Sequence, residues 1–449
     1  QWVITGYTLA LATVMPITAW AISRLGGKRV YLLALALFVA GSVTTGLAWN
    51  VASLIGFRVL QGLGGGLIMP VAMTLALRAA PPAQRGRILG ILGIPVLIGP
   101  ALGPTLGGWI LDTLSWRWIF FINLPIGILA ITLAAATLRA EPSAPTHRLD
   151  PYGLVLLSPG LAALIYGLST GAADGGLSTP RSLVPTLAGT ALILAFTART
   201  LTTMHPLLDL RLLRLRPMAT GAGVLVLFAA AYFGSMFLVP LYYQIVRGQS
   251  AFASGVLMLP QALATGITMQ FAARLIDRVA PRRVIGTGIA LATLGFAVFA
   301  VCVSVGTGLW VLLVALAIAG VGIGATLMPT MTTAVRWLTG AQLPSASTLL
   351  NVTQQTAVSI GTAATSVLLG AALSHRLPNL AHHGVGDLYQ LPNRLIPAIT
   401  PQIGGAFSAT LWLPTALMAA SLVTALLWLP RVRKRAHTRQ PTTCTLRRP

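Results

Sequence analysis

Long apolar stretches follow one another along almost the whole chain, separated by short polar loops. Because hydrocarbon offers the backbone no hydrogen-bond partners, an apolar segment of about twenty residues crosses a bilayer as an α-helix. The alternating segments of about ten residues that build a membrane β-barrel do not occur in the sequence. We therefore predict an all-α polytopic membrane protein with thirteen spans, at residues 2–22, 30–49, 51–77, 88–111, 117–138, 152–171, 182–201, 218–242, 250–272, 284–304, 309–334, 345–373 and 406–429.

The composition excludes a set of soluble domains. Only 8% of the residues are charged and 55% are hydrophobic, whereas a soluble chain carries about 25% charged residues. The two cysteines, Cys302 and Cys444, are too few for a disulfide framework or a cysteine metal site. The six histidines all fall outside the predicted spans. We therefore expect no metal, no cofactor and no enzymatic activity.

The net charge of +23 could point to a nucleic-acid partner, but the basic residues stand in short clusters between the apolar runs. Of the 30, 24 follow odd-numbered spans, five follow even-numbered spans and Arg58 lies inside a span. This asymmetry follows the positive-inside rule and places the odd-numbered loops and the C-terminus in the cytoplasm. Gln1 then lies outside. With no cleavable signal peptide visible, we expect one further span before it, fourteen in the intact protein.

The chain contains an internal repeat. AWAISRLGGKR at 19–29 resembles ARLIDRVAPRR at 273–283, an offset of 254 residues. GLGGGLIMP at 62–70 resembles GVGIGATLMP at 320–329, an offset of 258. Parallel six-span repeats are the plan of major facilitator transporters. We predict an N-terminal half at 1–138, a linker with two extra spans at 139–216, a C-terminal half at 217–430 and a basic tail at 431–449.

Arg58 is the charged residue that most needs an explanation. It lies about 10 Å into its predicted span, at 1.5 Å per residue, where insertion of a charge costs about 2.5–3.5 kcal/mol. All seven acids fall in loops or at span ends. Arg58 therefore needs a carboxylate from elsewhere or a wet cavity, unless it snorkels to the interface. Gln61, one turn away, is placed to hydrogen-bond it.

Two further spans carry a patterned face. Gly99, Gly103 and Gly107 repeat every four residues, so they share a helix face that permits close helix approach. Asn351, Gln355 and Ser359 form a polar stripe with Gln354 beside it; such a stripe lines a cavity or makes structural hydrogen bonds between helices.

Several stretches together resemble one family, the fourteen-span drug:proton antiporters of the major facilitator superfamily, the EmrB/QacA-like branch, with the first span missing. The match covers nearly the whole chain. Its specificity lies in the order and spacing of QWVITGYTLA (1–10), FRVLQGLGGG (57–66), GPALGPTLGGWI (99–110), SWRWIFFINLPIG (115–127) and PLYYQIVRGQSAFASGVLMLPQAL (240–263).

The resemblance implies roles for particular residues. The two repeated loops would form a cytoplasmic gate, although Ser23 stands where the family has an acid. The positive-inside rule alone would also account for the basic residues of these loops. The arginine at 58, with Gln61, would serve proton coupling with an acid on the first span. The implied gate consists of Ser23, Arg24, Lys28, Arg29, Asp277, Arg278, Arg282 and Arg283. The implied antiporter-motif helix carries Gly99, Pro100, Gly103, Pro104, Gly107 and Gly108. The implied substrate cavity includes Tyr232, Tyr243, Gln244 and Gln261, with Asn351, Gln354, Gln355 and Ser359.

The expected function is export of hydrophobic or amphipathic small molecules, driven by proton entry, in a bacterial plasma membrane. The partners would be a drug or antibiotic, protons and the lipid bilayer, with the protein a monomer. Because no predicted span of this chain holds an acid near its middle, we predict neutral or weakly acidic substrates over quaternary cations. A carrier dedicated to one metabolite or self-made antibiotic is the alternative, and an inactive remnant is a second.

Overall fold

The computed structural model describes residues 2–81, 84–139, 149–173, 176, 179–204, 206–276, 279–305, 307–336, 338–376 and 396–429. All regular elements within these ranges are helical, as predicted. The first half consists of α1 (Trp2–Val14), α2 (Thr18–Leu25), α3 (Gly27–Gly46), α4 (Val51–Ala79), α5 (Arg85–Thr113), α6 (Trp118–Phe121) and α7 (Asn123–Thr137). A 3₁₀ turn at Met15–Ile17 separates α1 from α2, because Pro16 has no N–H for the helical ladder.

Two inserted helices, α8 (Pro151–Ala173) and α9 (Pro180–Thr202), follow, and then a short 3₁₀ helix at Leu210–Arg214. The second half consists of α10 (Arg216–Ile245), α11 (Ala251–Leu275), α12 (Pro281–Val305), α13 (Leu309–Gly324), α14 (Leu327–Val335), α15 (Leu343–Arg376) and α16 (Ile396–Trp428).

The thirteen predicted spans all fall on these helices. Twelve helical segments of the described chain are long and apolar enough to cross a membrane, and α5, with 29 residues, covers the remaining predicted span. The span at 309–334 matches the membrane-crossing segment Leu309–Val335, although its helix is interrupted between α13 and α14 at Ala325 and Thr326. One prediction needs correction. The helix of the last span begins at Ile396, ten residues before the predicted start of the span at 406, and its membrane-crossing segment begins at Thr400.

The repeat seen in the sequence is also a repeat of contacts. A methyl group on Gly62 would overlap the Tyr7 carbonyl of α1, and one on Gly320 would overlap the Gln261 carbonyl of α11. The two glycines are 258 residues apart and their partners 254 apart, the same offsets as in the sequence match. Close approach of α4 to α1, and of α13 to α11, therefore uses the same glycine position in each half.

The two halves meet along α5 and α11. Gln270 donates to the Gly90 carbonyl at 3.2 Å, and Gly108 lies beside Phe252 near the other end of α5. A second contact joins α2 to α15. The inserted helix α8 packs against both α1 and α15, with α9 outside it. The insertion thus borders the seam between the halves.

One end of the bundle, which we name the basic face, carries the loops and helix ends around Arg24, Arg85, Arg216, Arg283 and Arg336. The other end, named the opposite face, carries Asn50, Arg117, Arg181 and Arg247. At the opposite face α4 starts with a capping box in which the Asn50 side chain accepts from the Ser53 amide at 2.7 Å. This cap sets the start of α4 and so the depth of Arg58.

Candidate functional site

The Arg58 guanidinium lies between α4 and α1 and makes contacts with neutral groups. Nη1 donates to Gln61 Oε1 at 2.8 Å, and Nε donates to the Val3 carbonyl at 3.2 Å. Its Cζ lies 4.2 Å from the centroid of the Tyr7 ring and 5.6 Å from that of Phe120. The hydrogen bond predicted between Arg58 and Gln61 is therefore present. Among the described side chains, no carboxylate pairs with Arg58.

These contacts are of the right size to hold the charge in place. A hydrogen bond to a charged group contributes about 1.5–3 kcal/mol, and a cation–π contact adds about 0.5–2 kcal/mol. Together they match the insertion cost of about 2.5–3.5 kcal/mol. A guanidinium has five N–H donors, and the two bonds above occupy two of them. Arg58 can therefore receive a carboxylate or another acceptor without losing its present partners.

The first copy of the predicted gate is divided between two places. Lys28 Nζ donates to the Ala135 carbonyl at 2.6 Å, in the last turn of α7, so Lys28 stabilises a helix C-terminus within the first half. Arg24 and Arg29 lie exposed on the basic face. Ser23 donates to the Ala19 carbonyl of its own helix and lines a cavity of about 230 Å³ with Ser345 of α15.

That cavity brings Ser23 to the N-terminus of α15, where a carboxylate would be favoured by the helix dipole. The serine at this position supplies no charge. Instead Asp150 and Asp209, from the segments that flank the insertion, line the same cavity. Asp150 also caps α8 by accepting from the Gly153 amide at 2.9 Å and pairs with Arg199 at 3.0 Å. The linker thus supplies the acids of this region.

The second copy of the predicted gate is only partly described. Asp277 and Arg278 lie outside the described residues. Arg282 is half-buried and Arg283 is exposed at the start of α12. The role predicted for these residues as a gate stays a prediction.

Arg85 joins the two halves at the basic face, a contact that the sequence analysis missed. It is 7% exposed at the first residue of α5, and its Nη1 lies 3.3 Å from each of the carbonyls of Val335, Arg336 and Leu338. Val335 is the last residue of α14, and Arg336 and Leu338 follow it, so Arg85 lies at a helix C-terminus, which carries partial negative charge. Arg85 of the first half therefore caps a helix of the second half and holds the basic face closed.

We expect Arg85→Met to shift the protein toward a form that is open at the basic face. Loss of charge-assisted hydrogen bonds worth about 1.5–3 kcal/mol corresponds to at least a tenfold rise in the open population. Spin labels at Arg87→Cys and Gly340→Cys, both exposed on this face, would report the opening as a longer distance. Arg283→Met removes an exposed charge from the same face and should leave the distance distribution unchanged. An unaltered distance distribution in Arg85→Met would contradict the role of Arg85 in holding the two halves together at the basic face.

The aromatic residues predicted to contact substrate lie in the packed core of the second half. Tyr243 is fully buried and Tyr232 is 5% exposed. The Tyr243 ring packs against those of Tyr242 and Phe299. Gln261 is also buried, while Gln244 is half-buried. None of these four lines the cavity beside Ser23 or the larger cavity between α1, α8 and α15.

The polar stripe on α15 lies in two different environments, a contact with the first half and a cavity. Asn351 donates to the Ser347 carbonyl at 2.8 Å and approaches Met73 Sδ of α4 at 3.6 Å, so it contacts the first half. Gln355 and Ser359 line a cavity of about 440 Å³ between α1, α8 and α15, which we name the seam cavity. Gln354 is half-buried. Contact of this stripe with substrate stays a prediction.

The glycine face of α5 has no described neighbour. A methyl group on Gly99, Gly103 or Gly107 would have no described atom of another segment within 4 Å, whereas one on Gly108 would reach Phe252. The side chains of Pro100 and Pro104 lie outside the described part. The equivalent helix α15 is different, because Gly361, 258 residues after Gly103, lies directly against the Ala230 backbone of α10.

Two repeated helical halves that meet at a seam, with a helix pair inserted between them, are the architecture of a secondary transporter. The chain belongs to the Major Facilitator Superfamily, whose family model matches residues 1–362 and, in an overlapping second match, 256–444.

Named relatives agree with this assignment. The chain is 37% identical to the "Multidrug resistance protein B homolog" of Mycobacterium tuberculosis strain H37Rv, over 98% of this chain and 84% of that protein. It is 31% identical to the "Multidrug export protein EmrB" of Escherichia coli K12, over 82% of this chain and 72% of that protein. The solved structure of the proton:xylose symporter XylE shares the fold, with a TM-score of 0.58 at 12% identity over 93% of this chain and 85% of XylE.

Proposed function

We propose that this transporter exports hydrophobic or amphipathic small molecules in exchange for protons, by alternating access of its two halves. The observation that carries the proposal is the Arg58 site, a fixed positive charge inside a span, held by neutral partners and with donors to spare. Relatives whose names state multidrug resistance or export support the substrate class. The positive-inside rule supports a cytoplasmic basic face and C-terminus in a bacterial plasma membrane.

Arg58 would act by binding a carboxylate whose proton occupancy changes during transport. A guanidinium stays charged at every physiological pH, so Arg58 cannot itself carry the proton. An ionised carboxylate would pair with Arg58, and a protonated one would release it. Differential stabilisation of two conformations by proton binding is the coupling that an antiporter needs.

Closure at the basic face is the second part of the mechanism. The Arg85 clamp and the contact of α2 with α15 hold that face together, while α1 and α15 are separated nearer the opposite face by the seam cavity. This arrangement corresponds to a state that opens toward the opposite face. Export then requires the clamp to break and reform in each cycle.

Everted membrane vesicles containing the protein expressed from its natural gene provide the test. An imposed proton gradient should collapse faster when fluorescein or chloramphenicol is added, and less so with ethidium, since the substrates are proposed to be acidic or neutral. Vesicles without the protein should show no probe-dependent change. Equal responses to all three probes would overturn the charge preference. No response from correctly folded protein would favour a carrier dedicated to one metabolite.

A further inference from the structure

We infer that the seam cavity is a binding site for aromatic small molecules rich in acceptor oxygens, carboxylates above all, and that the inserted helix α8 forms one of its walls. The inference rests on the proposed function, because it names the class of molecule that such an exporter would take. The cavity lies on the side of α1 that faces away from Arg58. Thr5 and Thr8 line it, whereas Val3 and Tyr7 contact Arg58.

The size and boundaries of the seam cavity suit a drug-sized ligand. Its volume of about 440 Å³ lies in the range of small-molecule sites, about 300–1,000 Å³. Toward the basic face a packed apolar cluster closes it, in which Ile165 of α8 meets Val352 of α15 and Met15. On its aromatic side the Trp2 and Tyr166 rings lie against each other at a tilt of 31°, with centroids 5.6 Å apart, and form a surface on which a planar ring can pack.

The seam cavity contains three polar side chains with unused donors, beside hydroxyls whose hydrogen is already bonded. The hydroxyls of Thr170, Ser359 and Thr362 donate to carbonyls of their own helices. In contrast, the side chains of Tyr166, Gln355 and Arg181 line the cavity without a hydrogen-bond partner among the described residues. Their N–H and O–H groups are therefore available to a ligand.

The charge of the seam cavity selects the same class of molecule. Arg181 is the charged residue among its described lining residues, which include no aspartate or glutamate. A cationic ligand would find no counter-charge among these residues, whereas a carboxylate or phenolate could accept from Arg181 in a bidentate pair. Gln355 and Tyr166 could then bind carbonyl or ether oxygens. The site therefore favours anionic and neutral aromatics over organic cations.

Helix α8 gives this cavity a wall that is specific to the insertion. Besides Tyr166, it contributes Ser169 and Thr170. The helix is fixed to both halves of the transporter, since Ser158 donates to the Thr13 carbonyl of α1 at 2.6 Å and Ser366 of α15 donates to the Ala172 carbonyl at 3.3 Å. The insertion is thus part of the substrate path and not a separate peripheral element.

Cysteine protection tests the site directly. In a background with Cys302→Ser and Cys444→Ser, a cysteine introduced as Ser169→Cys is alkylated by a small maleimide in everted vesicles. Fluorescein, an anionic tricyclic carboxylate, should slow this alkylation at least tenfold, and the similarly sized cation ethidium should not. Val155→Cys, on an exposed position of the same helix, should be alkylated equally with either probe.

A blocking substitution tests the same site through transport. Ser169→Trp should lower fluorescein export at least tenfold, whereas Val155→Trp should leave it unchanged. Export of fluorescein without protection of Ser169→Cys and without loss of export in Ser169→Trp would contradict the proposed site and leave the proposed export function intact. If fluorescein protects Ser169→Cys but is not exported, the binding site is supported and the proposed export of this class of molecule is contradicted. Equal protection by ethidium would overturn the charge argument.

Discussion

Vesicles carrying Arg58→Met should lose probe-dependent proton movement by at least tenfold, while the protein remains folded and inserted. Methionine has a similar length, and its apolar side chain avoids the insertion cost of about 2.5–3.5 kcal/mol. The substitution removes the hydrogen bonds to Val3 and Gln61 and, at the same time, the insertion cost of the charge. Because the two changes offset each other, the free energy of unfolding should change little. Loss of proton movement in a folded Arg58→Met protein would assign the Arg58 charge to transport.

Arg247 offers a matched control, because its contacts are of the same kind. It donates to the Tyr242 hydroxyl at 3.0 Å, bonds the Thr307 carbonyl and lies near the Tyr242 ring. It stands just after α10, at the opposite face, and not within a span. Arg247→Met should thus leave transport within about twofold of the unmodified protein. Arg58→Lys keeps the charge without the planar fork and should retain part of the activity. Full activity in Arg58→Met would exclude a coupling role.

Alanine at Gly361 and at Gly103 should have opposite effects on stability, although the two positions correspond in the two halves. At Gly361 the new methyl group would overlap the Ala230 backbone of α10, and overpacking of this kind costs about 1–3 kcal/mol. At Gly103 no described atom of another segment lies within 4 Å. There, alanine in place of glycine should stabilise the helix by up to about 1 kcal/mol.

Thermal unfolding of the purified protein in detergent measures both changes. Gly361→Ala should lower the melting temperature by several degrees, and Gly103→Ala should leave it equal or slightly higher. Gly108→Ala, which would add only ordinary contact with Phe252, serves as a second reference on α5. A fall with Gly103→Ala as large as that with Gly361→Ala would show that a further helix packs on this face of α5 in the protein.

The helical architecture could be read from the sequence because it depends on local chemistry. The length of each apolar run and the glycine repeat at Gly62 and Gly320 determine where helices form and where they approach closely. The Arg58–Gln61 bond could be predicted for the same reason, since residues three apart on a helix are neighbours. These features need no knowledge of how distant segments meet.

The remaining features depend on which segments meet in space. Arg85 bonds carbonyls some 250 residues away, and a backbone carbonyl carries no signature in the sequence. Tyr232 and Tyr243 lie in the core, and their predicted contact with substrate stays a prediction. Because α10 is apolar on all sides, its pattern does not show which face lines a cavity. The sequence analysis places no site residue on α8, although the run Tyr166–Thr170 gives this helix a polar face.

The two hydrogen bonds of α8 have a consequence for motion. Ser158 ties the helix to the first half and Ser366 ties it to the second. When the halves rotate apart on the side of the seam cavity, a rigid helix cannot follow both partners, so one of these bonds must give way while the other persists. The inserted helices then move as a rigid body with one half of the transporter. The bond that persists determines with which half the cavity wall formed by Tyr166 and Ser169 moves when the cavity opens.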